Sequence, residues 1–189
     1  MSKRKKDIKL LKMIRKQGAG SERAFYELYH KYSTKLNAFC IFRTNRKEIA
    51  EEIFQETWMR FYRIVTRGKE IKNVQQYLVT IARNLIIDCY HNTKNTTYVE
   101  EESFDIESFA NPAVFSDDIE KDELFALMMT AVNNLEEIYK EAFILKKLNG
   151  LSYKEIAKIC GENVECMKKR VLRATVAIKE TLKPYINEL

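Results

Sequence analysis

The sequence predicts an all-α fold: two small helical domains joined by an acidic flexible linker. Three observations predict it. Apolar residues make up 46% of the 189, enough for a packed core, while 5 Gly and 2 Pro are far too few for a turn-rich sandwich or barrel. Apolar positions recur three and four apart along most of the chain, with no sustained alternation of the kind a strand needs. The charge also changes sign twice. Residues 1–94 carry 21 Lys and Arg against 9 Asp and Glu, a net of +12. Residues 95–123 carry one Lys against 10 acids, a net of −9, and residues 124–189 return to +3. The expected boundaries are therefore a domain over 1–95, a linker over 96–121 and a second domain over 122–189.

The elements follow in order. Residues 8–42 place Phe25, Leu28, Tyr29, Tyr32, Leu36, Phe39 and Cys40 at helical spacing. Residues 48–65 continue as a long helix whose stripe is Ala50, Ile53, Thr57, Phe61 and Ile64. Its other side carries Glu48, Glu52, Gln55, Glu56 and Met59, with Trp58 at the boundary. An acidic face inside a segment of net +12 does not suit phosphates; it suits a basic protein partner, or is simply a solvated face. The polar loop Thr66–Asn73 precedes a third helix, Val74–Tyr90, expected to bury Leu78, Ile81, Ala82, Leu85 and Cys89. Its outer side and the loop offer Lys69, Lys72, Asn73, Tyr77, Thr80, Arg83 and Ile87. Aromatic and basic residues interleaved in this way can stack and track a single strand, although aromatics at helical spacing also serve as core.

Asn92–Thr97 ends that helix with turn formers. The acidic stretch containing Asn111-Pro112 shows no period, and helices resume at 122–135, 138–147, 152–159 and 164–182. Ser152 and Glu155 form the sequence signature of a capping box. Cys160-Gly161-Glu162-Asn163 reads as a tight turn, and Asn163 can cap the next helix. Two helices joined so closely make a helix-turn-helix. The stripe Val164, Met167, Val171, Ala174, Ile178 and Leu182 turns inward. Glu165, Cys166, Lys169 and Arg173 then face outward, with Lys168 and Arg170 on the flanks, a face suited to a major groove and its phosphates.

Several function classes are disfavoured. Cys40, Cys89, Cys160 and Cys166 form no CxxC pair, and His30 and His91 are the only histidines, so no metal site is expected. No phosphate-loop, dinucleotide or nucleophile-elbow motif is present, so neither enzyme chemistry nor a cofactor is expected. The longest apolar run, Leu124–Met129, is far below the roughly 20 residues of a membrane span. The basic Met1–Lys6 leads into an amphipathic pattern rather than a signal peptide, and the chain reads as cytoplasmic.

Taken together, these segments resemble a bacterial RNA polymerase sigma factor of the extracytoplasmic-function group. The resemblance lies in Ala24-Phe25, Leu28-Tyr29 and Tyr32; in the run from Ala50 through Trp58; and in Tyr77-Leu78 with Ile81 through Asp88. It continues in Leu151-Ser152-Tyr153 with Glu155-Ile156-Ala157, and in Met167-Lys168, Arg170 and Arg173-Ala174. Cys89-Tyr90-His91-Asn92 stands where the family usually has Arg and Lys. Cys166 and Lys169 stand where it has Thr and Ser.

The resemblance implies that Glu48, Glu51, Glu52, Gln55, Glu56, Trp58 and Met59 bind core RNA polymerase. It implies that Lys69, Lys72, Asn73, Tyr77, Thr80, Arg83, Asn84, Ile87 and Asp88 bind the minus-ten promoter element, as duplex and as melted non-template strand. Ser152, Tyr153, Glu165, Cys166, Lys168, Lys169, Arg170 and Arg173 would bind the minus-thirty-five element. An anti-sigma factor is a further implied partner. A stand-alone helix-turn-helix regulator or a helical adaptor is the competing reading; the first needs no polymerase, the second no salt-sensitive DNA binding.

Overall fold

Most helix boundaries follow local stop and start signals, but the helix expected over Val74–Tyr90 runs on through Asn92, Thr93 and Lys94 to Asn95. The computed structural model describes residues 3–95 and 119–186. It contains eight α-helices and one π-helical turn, and no strand among the described residues. Residues 96–118 of the expected linker, with Asn111-Pro112, lie outside the described residues, while 119–121, expected as its end, are already helical. Met1–Cys40 with Glu48–Glu100 group as one compact unit, and Ile41–Lys47 with Glu101–Leu189 as the other.

The N-terminal helices are α1 (Lys3–Lys16), α2 (Ser21–Thr44), α3 (Lys47–Thr66) and α4 (Val74–Asn95); the first unit takes α1, α4, α2 as far as Cys40 and α3 from Glu48. The single helical stretch expected over 8–42 is in fact broken. Gln17 and Gly20 take positive φ values of 49° and 94°, and the Ser21 amide donates to the Gly18 carbonyl at 3.0 Å. Left-handed backbone is cheap at Gly and ends a helix, which the regular apolar spacing on both sides concealed. Leu10, Leu11 and Ile14 of α1 are buried with Leu28, Leu36, Phe39, Phe61, Leu78 and Ala82 of the other helices. Burying each of these Leu, Ile and Phe side chains contributes about 1.5–3 kcal/mol, and the methyl of Ala82 less.

Helix α4 is rotated from the expected register. Val79 and Ile86 are buried, both at 1% exposure, whereas Ile81, Leu85 and Cys89 are only half-buried. The segment Leu78–Ile87 is apolar on nearly every side, so its neighbours decide which face turns inward. The loop before α4 opens at Gly68 (φ 88°), is pinned by buried Ile71, and ends where the Asn73 side chain accepts from the Gln76 amide at 3.2 Å.

The second unit holds α5 (Ile119–Asn133), α6 (Glu137–Phe143), α7 (Tyr153–Cys160) and α8 (Val164–Ile186). The helix expected over 138–147 changes hydrogen-bond period part-way, because Ile144–Leu148 is a π turn. The Asn149 amide reaches back five residues to the Ile144 carbonyl at 3.1 Å, and the buried Asn149 side chain donates to that same carbonyl. Met129, Val132, Ala142, Ile144, Leu145, Ile156, Met167, Val171, Ala174 and Ile178 are buried here. All but Val164 and Leu182 of the inward stripe read from the α8 sequence are thus buried; those two are half-buried.

Candidate functional site

The helix-turn-helix is built by short-range hydrogen bonds. The Ser152 hydroxyl accepts from the Glu155 amide at 3.3 Å, and the Glu155 carboxylate accepts from the Ser152 amide at 2.8 Å, completing the capping box. At the other end of α7, Gly161 is left-handed (φ 70°) and the Glu162 amide donates to the Ala157 carbonyl at 3.0 Å, a Schellman closure. The Asn163 side chain then accepts from the Cys166 amide at 2.7 Å and starts α8. Two helices are thereby fixed by a turn that only a glycine fills without strain.

This frame presents the outer face of α8. Glu165, Lys168, Lys169 and Arg173 are exposed, and Cys166 and Arg170 half-buried. The cations differ in how they are held. Lys168 pairs with Glu165 at 2.7 Å, and that hydrogen bond draws the exposed Glu165 carboxyl below its ordinary range and raises the lysine. Arg170 pairs with Glu162 at 2.7 Å. Lys169 has no ion pair to a described residue. Arg173 donates from Nη1 to the Tyr139 hydroxyl at 3.0 Å.

Ile138 and Tyr139 of α6 join Asn163, Lys169 and Arg173 around a cleft of about 410 Å³. The sequence reading missed those two α6 residues, since no local pattern ties Tyr139 to a residue 34 positions on. Ser152 is absorbed by its cap, while Tyr153 lies under Lys146, whose Nζ sits 4.6 Å from the ring centroid.

In the first unit, α3 exposes Glu48, Glu51, Glu52, Gln55 and Met59, with Glu56 half-buried. Glu56 is tied within its own helix to Arg60 at 2.6 Å and to Arg63 at 3.4 Å, so the acidic face is partly balanced toward its C-terminal end. Trp58, expected at the boundary, is 5% exposed. It packs edge-on against Phe25 (5.6 Å) and Phe61 (5.7 Å) and tilted against Tyr29 (5.0 Å). Beside it, Phe25, Tyr26, Tyr29, Met59 and Tyr62 line an apolar groove of about 600 Å³ between α2 and α3. The buried Trp58 Nε1–H has no partner among the described residues, and Tyr26, Met59 and Tyr62 remain 62%, 52% and 41% exposed. The groove was not anticipated, because its α2 aromatics read as core.

The loop and α4 gather the third set. Lys69 and Lys72 are exposed, and Lys69 Nζ lies 5.4 Å from the ring centroid of half-buried Tyr77. Asn73 is the cap of α4, and the Thr80 hydroxyl donates to the Gln76 carbonyl at 2.8 Å. Asn84 and Asp88 are exposed, and Arg83 and Ile87 half-buried. Among the described residues no group of three or more His, Cys, Asp and Glu could hold a metal ion. Cys40, Cys89, Cys160 and Cys166 are not joined in disulfides. No helix there is long and apolar enough to cross a membrane.

Comparison with known proteins gives two family matches: Sigma-70 region 2 over residues 28–96, and Sigma-70 region 4 over residues 125–178. The ECF RNA polymerase sigma factor BldN of Streptomyces coelicolor is 27% identical over 183 residues. That alignment covers 92% of this chain and 66% of that protein. The ferric citrate uptake sigma factor FecI of Escherichia coli K12 is 30% identical over 127 residues, 66% of this chain and 71% of that protein. Among solved structures, sigma factor RpoE from Bartonella quintana, in complex with the anti-sigma factor NepR, superposes with a TM-score of 0.67 at 25% identity. It covers 84% of this chain and 96% of that one.

Proposed function

The chain belongs to the ECF RNA polymerase sigma factors, and from that premise we infer how its parts divide the work. It binds core RNA polymerase and directs promoter-specific initiation of transcription. The first domain, residues 1–95, docks on the polymerase through α3. The exposed acids Glu48, Glu51 and Glu52 steer a basic partner surface, and the aromatic groove beside Trp58 receives its apolar side chains. The unpartnered Trp58 N–H is a ready donor for a carbonyl of that partner.

Lys69, Lys72, Tyr77 and the exposed side of α4 hold the minus-ten element once its strands part. The cost of unstacking a base is offset by a site that accepts the extruded base, as in base flipping. The second domain, residues 122–189, lays α8 in the major groove of the minus-thirty-five element. Residues 96–121 tether the two. All of this is binding: the protein acts without catalysis or a cofactor of its own, in the cytoplasm, and an anti-sigma factor is its expected antagonist.

The observation that carries this reading is the capped helix-turn-helix with the cations of α8 on its outer face. The test is transcription in vitro with purified core on a genomic promoter library. Factor-dependent start sites sharing one upstream and one downstream element are expected. A factor that binds DNA but neither associates with core nor yields transcripts would be a stand-alone regulator, and the reading would fail.

A further inference from the structure

We propose that the outer face of α1 is a binding track for the phosphate backbone of promoter DNA, continuous with the α3–α4 loop. The inference rests on the reading of that loop as part of the minus-ten site.

Lys5, Lys9, Lys12 and Lys16 are spaced four, three and four residues apart. At 3.6 residues per turn they share a strip about 60° wide. All four are exposed, and none is ion-paired to a described residue. The opposite side of the helix is fixed to the body through Leu10, Leu11 and Ile14, at 6%, 3% and 0% exposure. The one acid of the helix, Asp7, is turned inward, where its carboxylate accepts from Lys31 at 2.5 Å and from the Tyr32 hydroxyl at 2.6 Å. Lys6, off the strip, is paired with Glu27 at 3.1 Å. The outward strip is therefore cationic without interruption.

Such a face works against the helix that carries it. Like charges at i, i+4 repel, and a first turn with basic but no acidic residues opposes the helix dipole. A bound polyanion relieves both. The strip also leads somewhere. Arg15, next to Lys16, turns back to the body and donates from Nη2 to the Lys69 carbonyl at 2.5 Å, tying this end of α1 to the loop that carries Lys69 and Lys72. From Lys5 to Lys16 the strip is about 16 Å long at 1.5 Å per residue. With one phosphate per 3.4 Å of duplex axis on each strand, that length of axis carries roughly five phosphates of one strand.

The test replaces all four lysines with Gln in the full chain, which keeps side-chain length and helix propensity. Binding is followed by anisotropy across a salt series, with a mixed-sequence duplex and an oligo-dT strand of equal length as probes. Each lost phosphate contact should flatten the log–log salt slope by about 0.9 on duplex and about 0.7 on single strand. A total change of roughly two or more on either probe supports the track, and the probe with the larger change says which form of the backbone occupies it. Unchanged affinity and slope on both probes overturn the proposal. So does a variant that keeps parental DNA binding but loses affinity for core polymerase, since the face would then dock protein. Lys69→Gln with Lys72→Gln is the separate control: parental DNA binding by that pair would sink the minus-ten reading of the loop, whatever the α1 variant does.

Discussion

The hydrogen bond from Arg173 to the Tyr139 hydroxyl predicts that a residue of α6 sharpens recognition made by α8. The perturbation is Tyr139→Phe, which keeps the ring against the cleft and deletes only the acceptor 3.0 Å from Nη1. A flexible guanidinium held in place before DNA arrives loses less rotamer freedom on binding. The hydrogen bond lies near the surface, so it is worth about 0.5–1.5 kcal/mol. At 1.4 kcal/mol per tenfold, this is roughly a two- to twelvefold loss of affinity for the preferred upstream element. The assay is a double-mutant cycle on that element at fixed salt, using Tyr139→Phe, Arg173→Ala and the pair. Tyr139→Phe should cost its full amount in the parent and almost nothing once Arg173 is gone. Equal losses in both backgrounds would refute the reasoning, because Tyr139 would then act on DNA or on the fold directly.

Reversing Glu52 and Glu56 to Lys should weaken core binding at least tenfold by like-charge repulsion, with helix content unchanged by circular dichroism; unaltered affinity for core would remove α3 from the interface. Gly161→Ala adds a Cβ that meets no atom within 4 Å, so its cost is left-handed strain alone, about 1–2 kcal/mol in chemical denaturation, and Gly161→Asn should cost less. Burial pushes the Cys40 thiol up to about 12, so at mildly alkaline pH its reactive thiolate is scarce in the folded state. Alkylation read by mass spectrometry should therefore modify half-buried Cys89, Cys160 and Cys166 before Cys40. Early labelling of Cys40 would mean that the first unit opens locally.

What could be read from the sequence is what short-range chemistry decides. The Ser152–Glu155 box, the Gly161 turn and the Asn163 cap each involve partners within a few residues, so the helix-turn-helix was legible in detail. The inward stripe of α8 was legible because its other face is strongly charged. In α4 both faces are apolar, so the choice of Val79 and Ile86 over Ile81 and Leu85 depends on neighbours that no window of the sequence contains. The same limit hid the partnership of Tyr139 with Arg173 and the aromatic groove, each made by side chains on different helices, well beyond one another's local window. The break at Gln17–Gly20 was marked by two glycines, yet the apolar spacing runs on across it. The π turn had no forewarning, because it rests on one buried asparagine reaching a carbonyl five residues back.

Trp58 gives this protein a built-in optical handle. It is the single tryptophan of the chain and lies in the first unit, at the floor of the α2–α3 groove. Light absorbed selectively by indole therefore reports on one unit alone, while far-ultraviolet dichroism reports on both. Comparing the two signals during denaturation separates the unfolding of one unit from that of the other in the unlabelled protein. A partner that fills the groove would also change the polarity around the indole, so its arrival can be timed from the emission wavelength with no dye attached.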